Sequence, residues 1–258
     1  MTLLSIFILS LVEGVTEFLP ISSTAHLLIT SQLLNIESTA FLSSFLIFIQ
    51  LGAIGAVLSI YQDRLRQNLT LIKKVIVAFL PTSLIGLLLY PIIKNFFLES
   101  LLVVAWALLV GGVVIILFEW WYKNKTVSNQ IGSLADITYK QALLIGLFQS
   151  LAVVPGASRA GSTILGGLFL GLSRVVIVEF SFLLAIPTML GATSYDLFKT
   201  SVSFSGLEFF WLFLGFGLSF LFALVAIKWL VNFIKSHDFT YFGVYRILLA
   251  LLILAFLV

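Results

Sequence analysis

The chain has 258 residues, of which 61% are hydrophobic and 10% are charged, and its formal net charge is +3. Soluble domains are about 45–50% apolar and about 25% charged. A mean hydropathy of +1.19 therefore excludes a soluble enzyme, a disordered chain and a secreted disulfide scaffold. The apolar residues form long runs rather than an alternating pattern, which predicts an α-helical membrane protein and not a β-barrel.

Six runs are long enough to cross a bilayer, which takes about 20 apolar residues. They are residues 41–60, 75–93, 101–122, 175–195, 209–230 and 242–258. Trp and Tyr residues at several of their edges are typical of anchors at the membrane interface. The N-terminal segment has no basic region and no small-residue cleavage site, so we predict no cleaved signal peptide.

The charges of the loops predict the orientation of these spans. Lys and Arg are concentrated in residues 61–74, 123–140 and 228–246, the last of which includes Arg246, whereas the loops 94–100 and 196–208 carry one lysine each. Because basic loops are retained in the cytoplasm, the three basic segments are assigned to that side. The basic residues thus indicate membrane orientation rather than nucleic-acid binding.

Two further apolar stretches, residues 3–30 and 141–174, are interrupted by polar residues, proline and glycine. Each must return to the side that it left, or the alternation of loop charge fails. Each is therefore predicted to be a re-entrant helix–break–helix, which is tolerated only inside protein or beside a water-filled cavity.

The two interruptions resemble each other, since residues 13–23 read EGVTEFLPISS and residues 149–159 read QSLAVVPGASR. Each has a polar residue on a helix, then a proline, then a serine that restarts the chain. One enters from outside and the other from inside, which is typical of an inverted repeat with a site at its interface. The prediction is one all-α membrane domain with six transmembrane helices and two re-entrant segments, in approximate repeats 1–122 and 141–258.

The first interruption carries two carboxylates and several polar groups. Glu13 and Glu17 stand four residues apart and share a helix face, where they need a cation, a shared proton or water. A serine after Pro20 is a natural N-cap, and free N–H groups at a helix start suit phosphate. Ser23 and His26 stand three apart, which places a hydroxyl beside an imidazole and suggests a nucleophile with an acid or base.

The second interruption carries an arginine. Ser158 is predicted to cap a new helix, and Arg159 shares a face with Thr163. A guanidinium in an apolar bundle must be paired, and its fork binds phosphate or carboxylate oxygens. A structural Arg159–Glu17 ion pair is the alternative to phosphate binding. Arg174 is explained by snorkelling to the interface, and Glu179 is predicted to be buried without an assigned role.

These residues resemble the undecaprenyl-pyrophosphate phosphatase family of the bacitracin-resistance type. The motif from Glu13 to Leu27 is similar to the first signature of that family, the motif from Pro155 to Thr163 to its second, and residues 180–192 also match. The resemblance implies hydrolysis of the lipid carrier to the monophosphate and inorganic phosphate, which recycles it for cell-wall synthesis. Ala160 departs from the serine that usually follows the arginine, which would cost one hydrogen bond to phosphate unless the neighbouring Ser162 supplies it.

The resemblance also implies a divalent cation, Mg²⁺ or Ca²⁺, and work at the outer side of the bacterial cytoplasmic membrane. The implied active-site set is Glu13, Glu17, Ser22, Ser23, Thr24, His26, Ser158, Arg159 and Thr163. Glu13 and Glu17 are assigned to the metal and Ser23 is the preferred nucleophile, with His26 and water left open. A lipid-phosphate flippase or an ion-coupled transporter is the alternative function, and the helix packing is compatible with a homodimer.

Overall fold

The computed structural model describes residues 1–96, 100–124, 130–199 and 204–257. These parts form ten α-helices and two short 3₁₀ segments, Leu134–Asp136 and Ser150–Val153. The helices are α1 (Leu3–Thr16), α2 (Ser23–Leu33), α3 (Ala40–Gln67), α4 (Leu69–Phe96), α5 (Leu101–Lys123), α6 (Tyr139–Gln149), α7 (Arg159–Phe169), α8 (Arg174–Lys199), α9 (Gly206–Phe233) and α10 (Thr240–Phe256).

Polar residues set the ends of the long helices. The Thr39 hydroxyl accepts a hydrogen bond from the Leu42 amide at the start of α3, and Ser205 forms a reciprocal capping box with Glu208 at the start of α9. The helix α3 continues past the predicted end at residue 60 because Arg64 and Arg66 in its last turn suit the negative helix end.

Within the described ranges, five helices are long and apolar enough to cross a membrane: α3, α4, α5, α8 and α9. They coincide with the first five predicted spans. The sixth prediction, residues 242–258, corresponds to α10, which is apolar but has only 17 residues; Val258 lies outside the described residues, as do parts of the loops 94–100, 123–140 and 196–208.

The two interrupted stretches are broken helices, as predicted. The first gives α1 and α2, and the second gives α6, a 3₁₀ turn and α7. The helix α1 packs along α9 and α6 packs along α4, while α3 contacts α8 and α5 contacts α10. The α5–α10 crossing is close because Gly112 and Gly243 face each other, and a Cβ on Gly112 would lie 2.7 Å from the Gly243 carbonyl oxygen.

Two charged residues have partners that the sequence did not reveal. Arg174 binds the buried Glu119 through its two terminal guanidinium nitrogens, at 2.5 and 2.6 Å, so the snorkelling interpretation is wrong. Glu179 pairs with Arg64 at 2.8 Å and accepts a hydrogen bond from the Tyr61 hydroxyl. Both pairs connect helices distant in sequence, which residue spacing along one helix cannot show.

Candidate active site

The first helix break carries a serine in an unusual conformation. Ser22 has φ 72°, in the left-handed region that L-residues rarely adopt. Its hydroxyl accepts a hydrogen bond from the Ala25 amide at 3.4 Å, so Ser22 is the N-cap of α2 and Ser23 is the first residue of that helix. The predicted cap is therefore correct.

The second break repeats this arrangement. Gly156 has φ 92° and Ser158 has φ 72°, the same value as Ser22. The Ser158 hydroxyl accepts a hydrogen bond from the Gly161 amide at 3.1 Å and caps α7. Such conformations cost about 1–3 kcal/mol each and are concentrated at functional sites, so their presence at both caps indicates a shared role.

Three side chains connect the two breaks. The Arg159 guanidinium donates to one carboxylate oxygen of Glu17 at 3.0 Å, and the Ser23 hydroxyl donates to the other at 2.5 Å. Arg159 also donates to the Ser181 carbonyl at 2.7 Å. The Arg159–Glu17 ion pair that the sequence suggested is thus present, and it places a serine hydroxyl, a carboxylate and a guanidinium in one hydrogen-bonded row.

Several buried polar atoms beside this row have no hydrogen-bond partner among the described residues. They are both carboxyl oxygens of Glu13 and Nε of Arg159. Glu13 is fully buried, close enough to Glu17 for the two carboxyl groups to share a proton, and within the electrostatic influence of Arg159. Because buried polar groups are normally paired, these atoms indicate that the site binds a further charged or polar group.

A cavity of about 240 Å³ lies between the two breaks. This volume suits a small polar group rather than a whole lipid. Gln50 and Met189, which begin similar sequences in α3 and α8, both line it. The polar side chains in its wall are Glu17, Ser22, Ser23, Thr24, Gln50, Thr82, Ser158, Arg159 and Thr188.

Three predicted site residues do not line this cavity. The His26 ring contacts the Ser22 carbonyl and the Tyr245 hydroxyl, each at 2.7 Å, and it forms no hydrogen bond with Ser23. The Thr163 hydroxyl donates to the Arg159 carbonyl at 2.8 Å within α7. Glu13 is buried behind the cavity wall. The group that contacts the Ser23 hydroxyl is therefore Glu17 and not His26.

Sequence reasoning missed two threonines in the cavity wall. Thr82 and Thr188 both accept hydrogen bonds from the buried Gln149 amide, at 2.8 and 3.2 Å. Each follows a proline within an apolar run, at Pro81 and Pro187. A Pro-Thr pair in a membrane helix is the signal that would have found them, because it marks a locally irregular helix with a polar side chain.

Sequence reasoning counted Arg246 both in the basic segment 228–246 and in the predicted span 242–258, and it gave Arg246 no role at the site. Arg246 lies inside α10 with 0% of its surface exposed, and no carboxylate among the described residues pairs with it. Its five N–H groups donate to five backbone carbonyls at 3.0–3.4 Å, those of Pro20, Ala107, Leu108, Gly156 and Ala157. Arg246 therefore joins both breaks to α5.

Comparison with known proteins relates this geometry to a family. Residues 6–252 match the family described as bacitracin resistance protein BacA. A relative named undecaprenyl-diphosphatase from Aquifex aeolicus is 48% identical over 96% of this chain and 96% of its own. Relatives with the same name from Wolinella succinogenes and Sulfurihydrogenibium are 49% and 48% identical, each over at least 96% of both chains.

Proposed function

The chain belongs to the family of bacitracin resistance protein BacA, and we propose that the cavity between its two helix breaks is where it hydrolyses undecaprenyl diphosphate to undecaprenyl phosphate and inorganic phosphate. The observation that carries this assignment is the position of the Glu17 carboxylate, which accepts a hydrogen bond from the Ser23 hydroxyl and pairs with Arg159. A flippase or transporter needs groups that bind phosphate. It does not need a serine hydroxyl hydrogen-bonded to a base, so this contact and the names of the relatives both favour the phosphatase.

Arg159 and the two serine-capped helix starts hold the diphosphate. Phosphate oxygens suit the N–H groups at the beginning of α2 and α7. The unpartnered Nε of Arg159 supplies one further donor, in addition to the nitrogens that contact Glu17 and Ser181. Preorganised donors of this kind stabilise the charge that develops on the phosphoryl group in the transition state.

Ser23 is the nucleophile in this proposal. Its Oγ attacks the terminal phosphorus, the bond to the bridging oxygen breaks, and undecaprenyl phosphate leaves while Glu17 takes the hydroxyl proton. A water molecule then attacks the phosphoserine, and phosphate departs with both hydrogens of that water. Glu17 returns the first proton to Ser23 Oγ. His26 holds the Ser22 carbonyl and positions the break.

The polar atoms around Glu13 fit a divalent cation. Mg²⁺ and Ca²⁺ prefer oxygen ligands, and Mg²⁺ in particular is held by one or two carboxylates together with substrate phosphates. Glu13 offers two unpartnered oxygens next to Glu17, and no larger group of acidic or histidine ligands occurs in the described parts of the chain. A cation held by Glu13 and Glu17 would neutralise phosphate charge.

The cation assignment predicts how Glu13→Gln behaves. The amide keeps the shape of the side chain but loses its charge, so we expect a variant that needs at least about tenfold more Mg²⁺ or Ca²⁺ for half-maximal phosphate release. A chelator should stop the wild-type protein. Glu37→Gln, at an exposed loop carboxylate, is the control. Equal metal requirements in the two variants contradict the assignment.

The finer topology is part of the same proposal. Six membrane spans and two re-entrant segments in repeats 1–122 and 141–258 are supported by the equal φ values of Ser22 and Ser158 and by the matched packing of α1 on α9 and α6 on α4. The basic loops favour a cavity that opens to the outer side of the bacterial cytoplasmic membrane. The homodimer stays a prediction.

Two substitutions test whether Ser23 is the nucleophile and whether His26 only positions the first helix break. Ser23→Ala removes the nucleophile, and we expect phosphate release from undecaprenyl diphosphate to fall by at least about a thousandfold. His26→Gln loses one positioning contact, and we expect a decrease in kcat of about 10–100-fold with the shape of the pH–rate profile unchanged. A profile that loses one of its limbs in His26→Gln shows that His26 is the acid or base. Near wild-type turnover in Ser23→Ala favours direct attack by water.

A further inference from the structure

A second cavity lies next to the phosphate-binding cavity. It is an open groove of about 530 Å³ between α5 and the broken helix α6–α7, and its wall is almost entirely apolar. Val154 lines both the groove and the phosphate-binding cavity. The two spaces are therefore neighbours on either side of Val154 at the second helix break, just before Ser158.

The groove has a definite beginning and end. It starts beside Ala157 and Arg246, at the break itself, and follows α5 from Ala107 to Phe118. Eleven helical steps of 1.5 Å give a length of about 16 Å. At the far end Phe169 stacks on Trp121 and contacts Phe148, with ring centroids 6.0 and 6.1 Å apart.

We propose that this groove binds the part of the prenyl chain that adjoins the diphosphate; the inference rests on the proposed function. A diphosphate held by Arg159 and the start of α7 would lie next to this apolar space, which adjoins the phosphate-binding cavity at Val154 and suits the prenyl chain esterified to the diphosphate. The apolar wall and the aromatic end suit a branched hydrocarbon, and the volume lies within the range of small-molecule sites, about 300–1,000 Å³. Only the first few isoprene units fit, so the remainder of the chain extends into the bilayer.

This placement makes substrate affinity depend on chain length. A single isoprene unit stays beside Val154 and Ala157, whereas a chain of three or more units reaches the middle of the groove. For a short prenyl diphosphate that binds from water, burial of each further methylene group there strengthens binding until the aromatic end is reached. Beyond that length, additional isoprene units should add little affinity.

Two adjacent valines on α5 provide a matched test. Val114 lines the groove and is 47% exposed, whereas Val113 is 40% exposed and does not line it. The probes are farnesyl diphosphate and dimethylallyl diphosphate, measured by phosphate release in detergent. We expect Val114→Trp to raise KM for farnesyl diphosphate about tenfold, the effect of losing the burial of roughly two methylene groups. The kcat/KM of Val114→Trp for dimethylallyl diphosphate should equal that of the wild-type protein. Val113→Trp should equal the wild-type protein both in KM for farnesyl diphosphate and in kcat/KM for dimethylallyl diphosphate.

The outcomes separate this inference from the proposed function. If Val114→Trp and Val113→Trp have the same KM for farnesyl diphosphate, the groove does not bind the prenyl chain and the assignment is overturned. Ordinary lipid or a second copy of the chain then covers the groove. A change in oligomeric state on cross-linking, without a change in KM, identifies a second copy and also overturns it. An equal loss on both probes overturns it as well, because the defect then lies in the phosphate cavity. Wild-type protein that releases no phosphate from any prenyl diphosphate refutes the proposed function instead.

Discussion

Arg159→Lys should lower kcat/KM for undecaprenyl diphosphate by about 100–1,000-fold while the protein still folds. Arg159 uses its three nitrogens differently: one pairs with Glu17, one donates to the Ser181 carbonyl, and Nε has no partner among the described residues. A lysine ammonium is a compact point charge that keeps the ion pair but cannot extend planar donors in three directions. Loss of one preorganised donor to a developing anion typically costs about 10²–10³ in kcat.

The control for this variant is Arg64→Lys. Arg64 also pairs with a carboxylate, Glu179, but its side chain is 57% exposed and distant in sequence from both breaks. Exposed ion pairs contribute at most about 1 kcal/mol, so this change should leave phosphate release and thermal stability close to the wild-type values. Turnover by Arg159→Lys within threefold of the control would refute the role of Arg159 as the phosphate clamp.

The two helix breaks were predictable because their signals are local. Proline and a capping serine determine backbone conformation within a few residues, and in both halves of the chain a proline is followed within three residues by such a serine. The Arg159–Glu17 pair was predictable for a different reason. A buried arginine must be paired, and the first interruption supplies carboxylates that are chemically suitable partners.

The partner of Ser23 was not predictable by the same reasoning. A spacing of three residues places Ser23 and His26 on one face of α2, but Ser23 is the first residue of that helix. The break folds its hydroxyl back to Glu17 at the end of α1, so contact across the break replaces contact along the helix. Helical periodicity carries no information about a side chain that reaches across a reversal of the chain.

Arg246 shows that the number of basic residues in a segment does not predict how deeply each of them is buried. Summing Lys and Arg by segment gives orientation but not depth, and the segment 228–246 extends seven residues into α10. Nothing in the apolar sequence around Arg246 shows that backbone carbonyls rather than a carboxylate are its partners. Three of its five acceptors, the carbonyls of Pro20, Gly156 and Ala157, belong to the breaks and lack the donors that a continuous helix would give them.

Arg246→Met should therefore lower kcat strongly and the melting temperature only moderately. The substitution leaves carbonyls of both breaks without donors, at about 1–3 kcal/mol each, but it also removes a buried charge whose desolvation is costly. These opposing terms limit the expected decrease in melting temperature to roughly 5–10 °C. Catalysis has no such compensation, because Ser22 and Ser158 must keep their positions relative to each other. A displacement of about 1 Å can cost about 100-fold in rate, and we expect a loss of that size in kcat.

Arg246→Lys and Arg64→Met complete the experiment. Lysine keeps the charge but has three N–H donors in place of five, so it should retain some of the contacts to the breaks and give an intermediate kcat. Arg64→Met removes an exposed arginine of the same size and should leave kcat unchanged. A graded order of wild type, Lys and Met in kcat, with KM for undecaprenyl diphosphate much less affected, is the result expected of a residue that positions the two phosphate-binding helix starts without contacting the diphosphate. Met and wild-type proteins with equal kcat would mean that the breaks hold their geometry without Arg246, and the packing of α5 against α10 at Gly112 and Gly243 would then be sufficient to position them.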